Sequence, residues 1–253
     1  MNTDATQSSN DLTRRDFLKR TAVATGSAAT LAATTPVHSA GSDKVRVAMI
    51  GCGGRGTRDA TYCLQSSKDV ELYAIADMFQ DKVDASLARL KKAVPDRVNV
   101  SRDRVFLGFD AYEKVLSMDE VDLVLLLTPP GFRPTHVADA VKAGKHIFME
   151  KPSAVDPVGI RSLLSSADEA DRKGLSIVVG TQQRYVPHYR EIIQRIWDGQ
   201  IGEIRTLKAH WICDMVNWHF ENREPGWSDM EWQIRCWPFF TWLSGDHLVE
   251  QLC

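Results

Sequence analysis

The chain has 253 residues, of which 43% are apolar and 25% charged, and this composition excludes a disordered or fibrous protein. Lys and Arg number 31 against 33 for Asp and Glu, so the net charge of -2 offers little attraction to a polyanion and disfavours nucleic-acid binding. The best apolar run, Val121 to Leu127, is too short for a transmembrane helix. The five cysteines form no C-x-x-C pair, so neither a disulfide framework nor a cysteine zinc site is expected.

Residues 1–40 carry the pattern of an export signal. Arg14-Arg15 is followed by Phe17-Leu18, then by a weakly apolar stretch of small residues at 21–33 and a cleavage-like segment at 37–40. The pattern resembles a twin-arginine signal, which predicts that the folded protein is carried by the twin-arginine translocase to the periplasm. The other interpretation is a solvated basic tail on a cytoplasmic protein.

Residues 44–180 alternate apolar runs with segments of helical spacing. Strands are predicted at 44–50, 70–76, 121–127, 146–149 and 176–179, the last being counted as the sixth strand. Helices are predicted at 57–66, 81–94, 111–117, 135–143 and 157–173. Alternation of this kind requires a parallel sheet covered by helices on both faces. The sequence therefore predicts an α/β fold with a doubly wound parallel (Rossmann) sheet.

The turn after the first strand has the spacing G-x-G-x-x-G and reads Gly51-Cys52-Gly53-Gly54-Arg55-Gly56. Gly51 permits a tight turn, Gly53 lets a pyrophosphate approach the backbone, and Gly56 allows close packing of helix and strand. The amides and the positive dipole at the N-terminus of the next helix favour the phosphate charge. The whole turn is therefore predicted to bind a dinucleotide.

Asp77 ends the second predicted strand, 21 positions after Gly56. A carboxylate at this point accepts hydrogen bonds from the hydroxyls of the adenosine ribose and repels a 2'-phosphate. The expected cofactor is therefore NAD in preference to NADP. Arg55 is the one nearby cation expected to soften this repulsion.

Three further segments resemble the glucose-fructose oxidoreductase, inositol dehydrogenase and rhizopine catabolism (Gfo/Idh/MocA) family. They are Thr128-Pro129-Pro130, the segment from His136 to His146, and Met149-Glu150-Lys151-Pro152. The resemblance runs from about Val45 to the end of the chain. It implies an NAD(P)-dependent dehydrogenase of a sugar, cyclitol or related polyhydroxy compound, and it implies a homo-oligomer.

The resemblance places Lys151 beside the nicotinamide and the substrate hydroxyl. A nearby cation stabilises the alkoxide that develops as an alcohol loses its proton and hydride, so a lysine suits this position. Glu150 is expected to position Lys151 or to contact the ribose of the cofactor. The expected cofactor contacts also include Thr128, Pro129, Pro130 and His136.

Residues 181–253 resemble the beginning of the family's second domain, an α+β domain with an open antiparallel sheet that starts at residues 202–211. At the crossing into it, polar and aromatic side chains are expected to bind substrate, either by hydrogen bonds to hydroxyls or by stacking on a ring, namely Gln182, Gln183, Arg184 and Tyr185. Simple packing between domains is the competing interpretation of these four residues. His210, Asp214 and His219 fit no zinc spacing, so no metal is expected.

Residues 244–253 align with the family motif G-G-x-x-x-x-D-x-x-x-H. Glu250 then occupies the aspartate position and is expected to be catalytic, while the histidine position falls immediately after Cys253. His247 is three positions too early to replace that histidine. The alignment thus predicts a second domain that is incomplete in this chain.

Three functions are open at this point. The first is a dehydrogenase that transfers a hydride between NAD and a polyhydroxy substrate. The second is glycoside cleavage through transient oxidation by bound NAD, as in the resembling alpha-N-acetylgalactosaminidases, which usually lack the lysine of E-K-P. The third is a nucleotide-binding fragment without activity. Lys151 favours the first.

Replacement of Arg14 and Arg15 by lysine tests the export signal. If the pair is read by the translocase, the double variant stays in the cytoplasm while the parent chain reaches the periplasm, as cell fractionation measures. A Lys19→Arg variant keeps the pair and serves as the control. An unchanged location of the double variant contradicts the prediction.

Overall fold

The computed structural model describes residues 44–210 and 220–252. The export pattern at residues 1–40, and Asp214 and His219, lie outside these ranges. The strands are β1 (Val45–Ile50), β2 (Val70–Asp77), β3 (Val105–Leu107), β4 (Leu123–Leu126), β5 (His146–Met149) and β6 (Ile177–Val179). The α-helices of the described residues are α1 (Gly54–Ser66), α2 (Gln80–Ala93), α3 (Ala111–Leu116), α4 (Arg133–Lys142), α5 (Pro157–Lys173), α6 (Pro187–Trp197), α7 (Asp229–Arg235), α8 (Thr241–Ser244) and α9 (Asp246–Leu252).

The six strands form one parallel sheet in the order β3-β2-β1-β4-β5-β6. This order confirms the predicted Rossmann fold. From β1 the chain adds β2 and β3 on one side of the sheet, and it then returns to add β4 on the other side of β1. The strands β1 and β4 pair directly. Loops leaving the carboxyl ends of β1 and β4 therefore diverge and leave a crevice at this edge.

The sheet is covered on both faces because the buried stretches of its central strands are apolar. In β1, Val47 and Met49 belong to one buried cluster while Ala48 and Ile50 belong to the other. Successive side chains of a strand point to opposite faces, so one continuous apolar run feeds two cores. This is why the sequence shows runs rather than alternation.

Helix boundaries follow local chemistry. The Asp156 side chain accepts a hydrogen bond from the Gly159 amide at 2.7 Å, and Pro157 is the first residue of α5. Gly174 ends this helix at φ 69°, and Gly144 after α4 has φ 73°. These capping predictions are confirmed.

Three features differ from the sequence predictions. The strand β3 was not among the five predicted ranges, because its apolar run is only three residues long. The helix α4 begins at Arg133, two residues before the predicted start at Thr135. The predicted strand at 202–211 does not form over residues 202–210, which are exposed and pair with no other described segment.

Residues 220–252 pack on the Rossmann unit. The Gly131 amide donates to the Leu243 carbonyl at 2.8 Å. Arg235 makes two hydrogen bonds to Asp81 at 3.0 and 3.1 Å, and its guanidinium lies 3.9 Å from the centre of the Phe79 ring. These contacts hold the C-terminal helices beside the carboxyl edge of the sheet. In the part of the chain described here, no helix is long and apolar enough to cross a membrane.

Candidate functional site

Most of the predicted site residues lie at the carboxyl ends of five strands, at one edge of the sheet. The glycine turn follows β1, Asp77 ends β2, and Thr128 begins the loop after β4. Glu150 and Lys151 follow β5, and Gln182 lies in a 3-10 helix after β6. Open parallel sheets bind ligands at this edge, because loops of adjacent strands diverge there.

The glycines of the turn serve two different purposes. Gly51 has φ +101°, and a Cβ atom on it would lie 2.6 Å from the Leu127 carbonyl carbon. A Cβ atom on Gly56 would lie 2.6 Å from the Gly51 oxygen. Gly53 and Gly54 are exposed, and a Cβ atom on either would meet nothing within 4 Å. The outer glycines are thus required by the fold, whereas Gly53 and Gly54 leave open space at the start of α1.

This open space fits the pyrophosphate of a dinucleotide. The helix α1 begins at Gly54, and its N-cap residue Gly53 provides no side chain to bond the first amides. Amides at a helix start have no partner within the helix and carry the positive end of its dipole. The turn therefore offers hydrogen-bond donors, a favourable potential and room for an anion.

Asp77 is bonded to the glycine turn through its carboxylate. Oδ2 accepts a hydrogen bond from the Cys52 amide at 2.6 Å, and Oδ1 accepts one from the Phe79 amide at 2.9 Å. Burial raises the pKa of Asp77, while these backbone donors oppose the rise. Each oxygen keeps a further lone pair for a ribose hydroxyl. Burial also raises the pKa of the Cys52 thiol, which leaves it a neutral packing group.

Arg55 does not have the neighbour that the sequence analysis assumed. Its guanidinium bonds Asp59 at 3.0 Å and both Glu150 and Gln182 at 2.9 Å. The side chain thus reaches toward the loops after β5 and β6, on the other side of the crevice from β2. The prediction that Arg55 softens the repulsion at Asp77 is therefore corrected, because its guanidinium is bonded to the carboxylates of Asp59 and Glu150.

Glu150, which accepts a hydrogen bond from Arg55, is covered by the loop after β6. It is buried, and burial raises its pKa while the neighbouring Arg55 opposes the rise. A Cβ atom on Gly180 would lie 2.5 Å from Glu150 Oε1, so the loop after β6 passes directly over the carboxylate. This passage is what brings Gln182 to Arg55. Gln183, Arg184 and Tyr185 are exposed beside it.

His136 supports the Thr128–Pro130 loop from behind. Its Nδ1 lies 3.2 Å from Thr128 Oγ1, and its ring centre lies 4.2 Å from that of Tyr112. Only 8% of the residue is exposed, and burial together with the Arg133 charge lowers its pKa to about 4. His136 is therefore neutral at physiological pH. The loop prolines act on the next helix, since Pro129 and Pro130 carbonyls accept from the amides of Phe132 and Arg133.

Lys151 and Glu250 form an ion pair between distant parts of the chain. Lys151 Nζ lies 3.2 Å from Glu250 Oε1 and also donates to the Glu250 carbonyl oxygen. The side chains are 18% and 12% exposed. Burial raises the pKa of Glu250, and Lys151 and Arg133 oppose the rise. Glu250 Oε2 is buried and has no hydrogen-bond partner among the described residues, while His247 of the same helix is exposed.

Arg133 belongs to this site although the sequence analysis did not single it out. It is 2% exposed, and its Nη2 donates to the Thr128 carbonyl at 2.6 Å while Nη1 donates to the Pro152 carbonyl. The sequence carried no signal for it, because the helix was predicted to begin at Thr135. The structure makes Arg133 the first residue of this helix, where the dipole disfavours a cation, so other groups have to hold it there.

Residues 45–179 match the Gfo/Idh/MocA oxidoreductase family with an NAD-binding Rossmann fold. One curated relative is a glycosyl hydrolase family 109 protein of Shewanella sp. (strain W3-18-1), 27% identical over 68% of this chain and 36% of that protein. Another is the uncharacterized oxidoreductase ORF334 of Rhizobium meliloti, 26% identical over 66% of this chain and 45% of that protein. The chain spans 36% and 45% of the lengths of these two relatives.

Two solved structures show the same fold. The 3-ketoreductase KijD10 of Actinomadura kijaniata, in complex with NADP and TDP-benzene, is 25% identical with a TM-score of 0.51 over 64% of this chain and 45% of that chain. The myo-inositol 2-dehydrogenase of Lactobacillus plantarum is 21% identical with a TM-score of 0.53 over 64% of this chain and 43% of that chain. At the latter identity the likeness concerns the fold alone.

Substitution of two glycines separates folding from binding. Gly53→Val is expected to leave the free energy of unfolding within ~0.5 kcal/mol of the parent, because a Cβ atom at this exposed position meets nothing within 4 Å. It should weaken NAD binding by about 100-fold, since the side chain fills the place of the pyrophosphate. Urea unfolding and calorimetric titration with NAD measure the two effects.

Gly51→Ala is the matched control. It is expected to lower the free energy of unfolding and to leave NAD binding by the folded protein unchanged. Its Cβ atom meets backbone at 2.6 Å and the residue keeps a positive φ, so the free energy of unfolding should fall by at least ~1 kcal/mol. Undiminished NAD binding by Gly53→Val would refute the assignment of the turn.

Proposed function

The chain belongs to the Gfo/Idh/MocA oxidoreductase family, and from this membership we propose that it is an NAD-dependent oxidoreductase of a sugar, cyclitol or related polyhydroxy substrate. The observation that carries the proposal is the pair of Lys151 and Glu250, which meet at the carboxyl edge beside the dinucleotide turn. An ammonium and a carboxylate in contact can stabilise an alkoxide and take up a proton at one place.

NAD is the proposed cofactor, in preference to NADP. The support is Asp77, whose carboxylate is fixed by two backbone amides and would lie against a 2'-phosphate. Arg55 is bound to Glu150 and Asp59 and is not free to offset that charge. The solved 3-ketoreductase was in complex with NADP, so the two cofactors must be compared directly.

Titration of the chain with NAD and NADP makes this comparison. We expect NAD to bind at least about tenfold more tightly than NADP. We expect Asp77→Ser to lower this ratio of affinities, because the substitution removes the charge that repels the 2'-phosphate. Asp69→Ser, in the turn before β2, serves as the control. Equal affinities in the parent chain would contradict the preference for NAD.

When bound, the nicotinamide supplies an acceptor for the hydride of a secondary alcohol. The chain's own residues then have to manage the hydroxyl proton and the negative charge on oxygen. Lys151 Nζ donates a hydrogen bond to the hydroxyl oxygen and stabilises the developing alkoxide. Glu250, 3.2 Å from that ammonium, accepts the proton, and the alcohol becomes a ketone.

The environment of Glu250 suits this role. Burial raises its pKa, which makes the carboxylate a better proton acceptor, while Lys151 opposes the rise. Its buried oxygen Oε2 has no hydrogen-bond partner among the described residues. The exposed side chains of Gln182, Gln183, Arg184 and Tyr185 lie on the neighbouring loop and are proposed to bind the substrate's other hydroxyls or its ring.

Glycoside cleavage through transient oxidation is the second candidate. The observation in its favour is that curated relatives carry the name glycosyl hydrolase family 109 protein. Lys151 favours net oxidation, because the resembling glycosidases usually lack this lysine. The two candidates differ in stoichiometry: net oxidation accumulates NADH, whereas cleavage by transient oxidation releases a reducing sugar and returns the cofactor to NAD.

We further propose that the protein is exported by the twin-arginine route and forms a homo-oligomer. The support for export is the Arg14-Arg15 pattern, and the support for assembly is the family resemblance alone. The twin-arginine route carries folded proteins, which suits an enzyme that takes up its cofactor before export.

Lys151→Ala is expected to lower NADH formation from polyol substrates by at least about 100-fold, because the alkoxide loses its cation. Glu250→Gln is expected to lower it by a similar factor. In the parent chain, activity should fall as pH decreases through the raised pKa of Glu250, since the protonated acid cannot accept a proton. Stopped-flow absorbance of NADH measures all three effects.

Lys142→Ala, at an exposed ion pair of α4, is the control and should retain full activity. Near-normal turnover of Lys151→Ala would refute the role of this residue. Release of reducing sugar without NADH by the parent chain would establish the glycosidase in place of the dehydrogenase. NAD binding without either product would leave a nucleotide-binding module as the function.

A further inference from the structure

Arg133 joins two loops that leave adjacent strands. Thr128 lies two residues after β4, and Pro152 lies three residues after β5. The guanidinium donates to the carbonyl of each, and the two strands pair from Leu123↔His146 to Leu126↔Met149. Because a guanidinium is planar and presents its donors as a rigid fork, the two carbonyls are held at one fixed separation.

Burial of the Arg133 guanidinium at this position costs desolvation free energy. The residue is 2% exposed, Nε has no hydrogen-bond partner among the described residues, and burial lowers its pKa to about 10. No carboxylate among those residues hydrogen-bonds it, although Glu250 and Glu150 act on it at longer range. An apolar side chain of similar volume would fill the space with less desolvation, but it would leave both carbonyls unbonded.

The loops joined in this way carry the groups of the proposed reaction. The Pro152 carbonyl follows directly on Lys151, so a bond to it fixes the backbone from which the reactive ammonium extends. The Thr128–Pro130 loop lies on the other side, against the glycine turn at Gly51. A displacement of either loop would change the distance between Lys151 and a nicotinamide.

We propose that Arg133 is a positioning residue, which holds the Thr128–Pro130 loop and the Lys151–Pro152 turn at the separation that receives the nicotinamide end of the cofactor. This inference rests on the proposed function, since the identity of the cofactor does. It concerns the nicotinamide end only. The adenosine end is bound at Asp77 and the glycine turn, which Arg133 does not contact.

Ligand binding by Arg133→Lys tests the proposal without requiring turnover. A lysine keeps the charge but cannot bond two carbonyls in a fixed geometry. We expect ADP-ribose, which lacks the nicotinamide, to bind within about twofold of the parent, and NADH to bind about tenfold more weakly. We also expect the increase in NADH fluorescence on binding to be mostly lost in Arg133→Lys, compared with the parent chain.

Arg104→Lys is the matched control, because Arg104 stacks on Tyr73 on the amino-terminal side of β3, away from the cofactor edge. It should bind both ligands as the parent does. Equal NADH affinity and emission in Arg133→Lys and the parent would overturn the positioning role alone. Failure of the parent to bind either ligand would overturn the proposed function and this inference together.

Chemical rescue separates positioning from folding. Ethylguanidinium added to Arg133→Ala should restore at least about half of the NADH emission, since the free cation can bond both carbonyls again. If both Arg133 variants lose the cooperative urea transition, or if both lose ADP-ribose and NADH binding equally, the residue acts in folding alone and the proposal is wrong.

Discussion

The close contact between the Gly51 backbone and the backbone of Leu127 and Thr128 is the constraint on which the site depends. No side chain fits there, because a Cβ atom would lie 2.6 to 2.8 Å from three backbone atoms. The contact brings the turn after β1 against the loop after β4, at the point where the strand order reverses. It also sets the position of α1, whose start passes over the Gly51 oxygen. The dinucleotide turn and the Thr128–Pro130 loop are therefore placed by one packing requirement.

Three cations and two carboxylates lie beside this contact. Arg55 pairs with Glu150, and Lys151 pairs with Glu250. Both carboxylates are largely buried, which raises their pKa values, and each has a cation that opposes the rise. Arg133 adds a third cation that bonds carbonyl oxygens in place of a carboxylate. The first pair ties the glycine turn to the loops after β5 and β6, while in the second pair one carboxylate oxygen has no partner within the described ranges.

Elements with strong local signals were predicted well, and weakly marked ones were missed. The bounds of β5 are as predicted, and α5 is as predicted because an aspartate cap, a proline and a terminal glycine mark both ends. By contrast, β3 has only three partly exposed residues and depends on its partner β2 for its existence. The expected strand at 202–211 illustrates the same rule, since over residues 202–210 no described neighbour bonds its backbone.

The sequence by itself determined the Rossmann order of elements, the glycine turn and the candidates Asp77 and Lys151. These depend on periodicity, on backbone freedom and on residue chemistry, all of which are local properties. Only the tertiary structure decided which charges meet. Arg55 lies 95 positions from Glu150, and Lys151 lies 99 positions from Glu250. Contacts across such separations are set by how strands and loops pack in space, so the partner of Arg55 and the place of Arg133 could not be read from neighbouring residues.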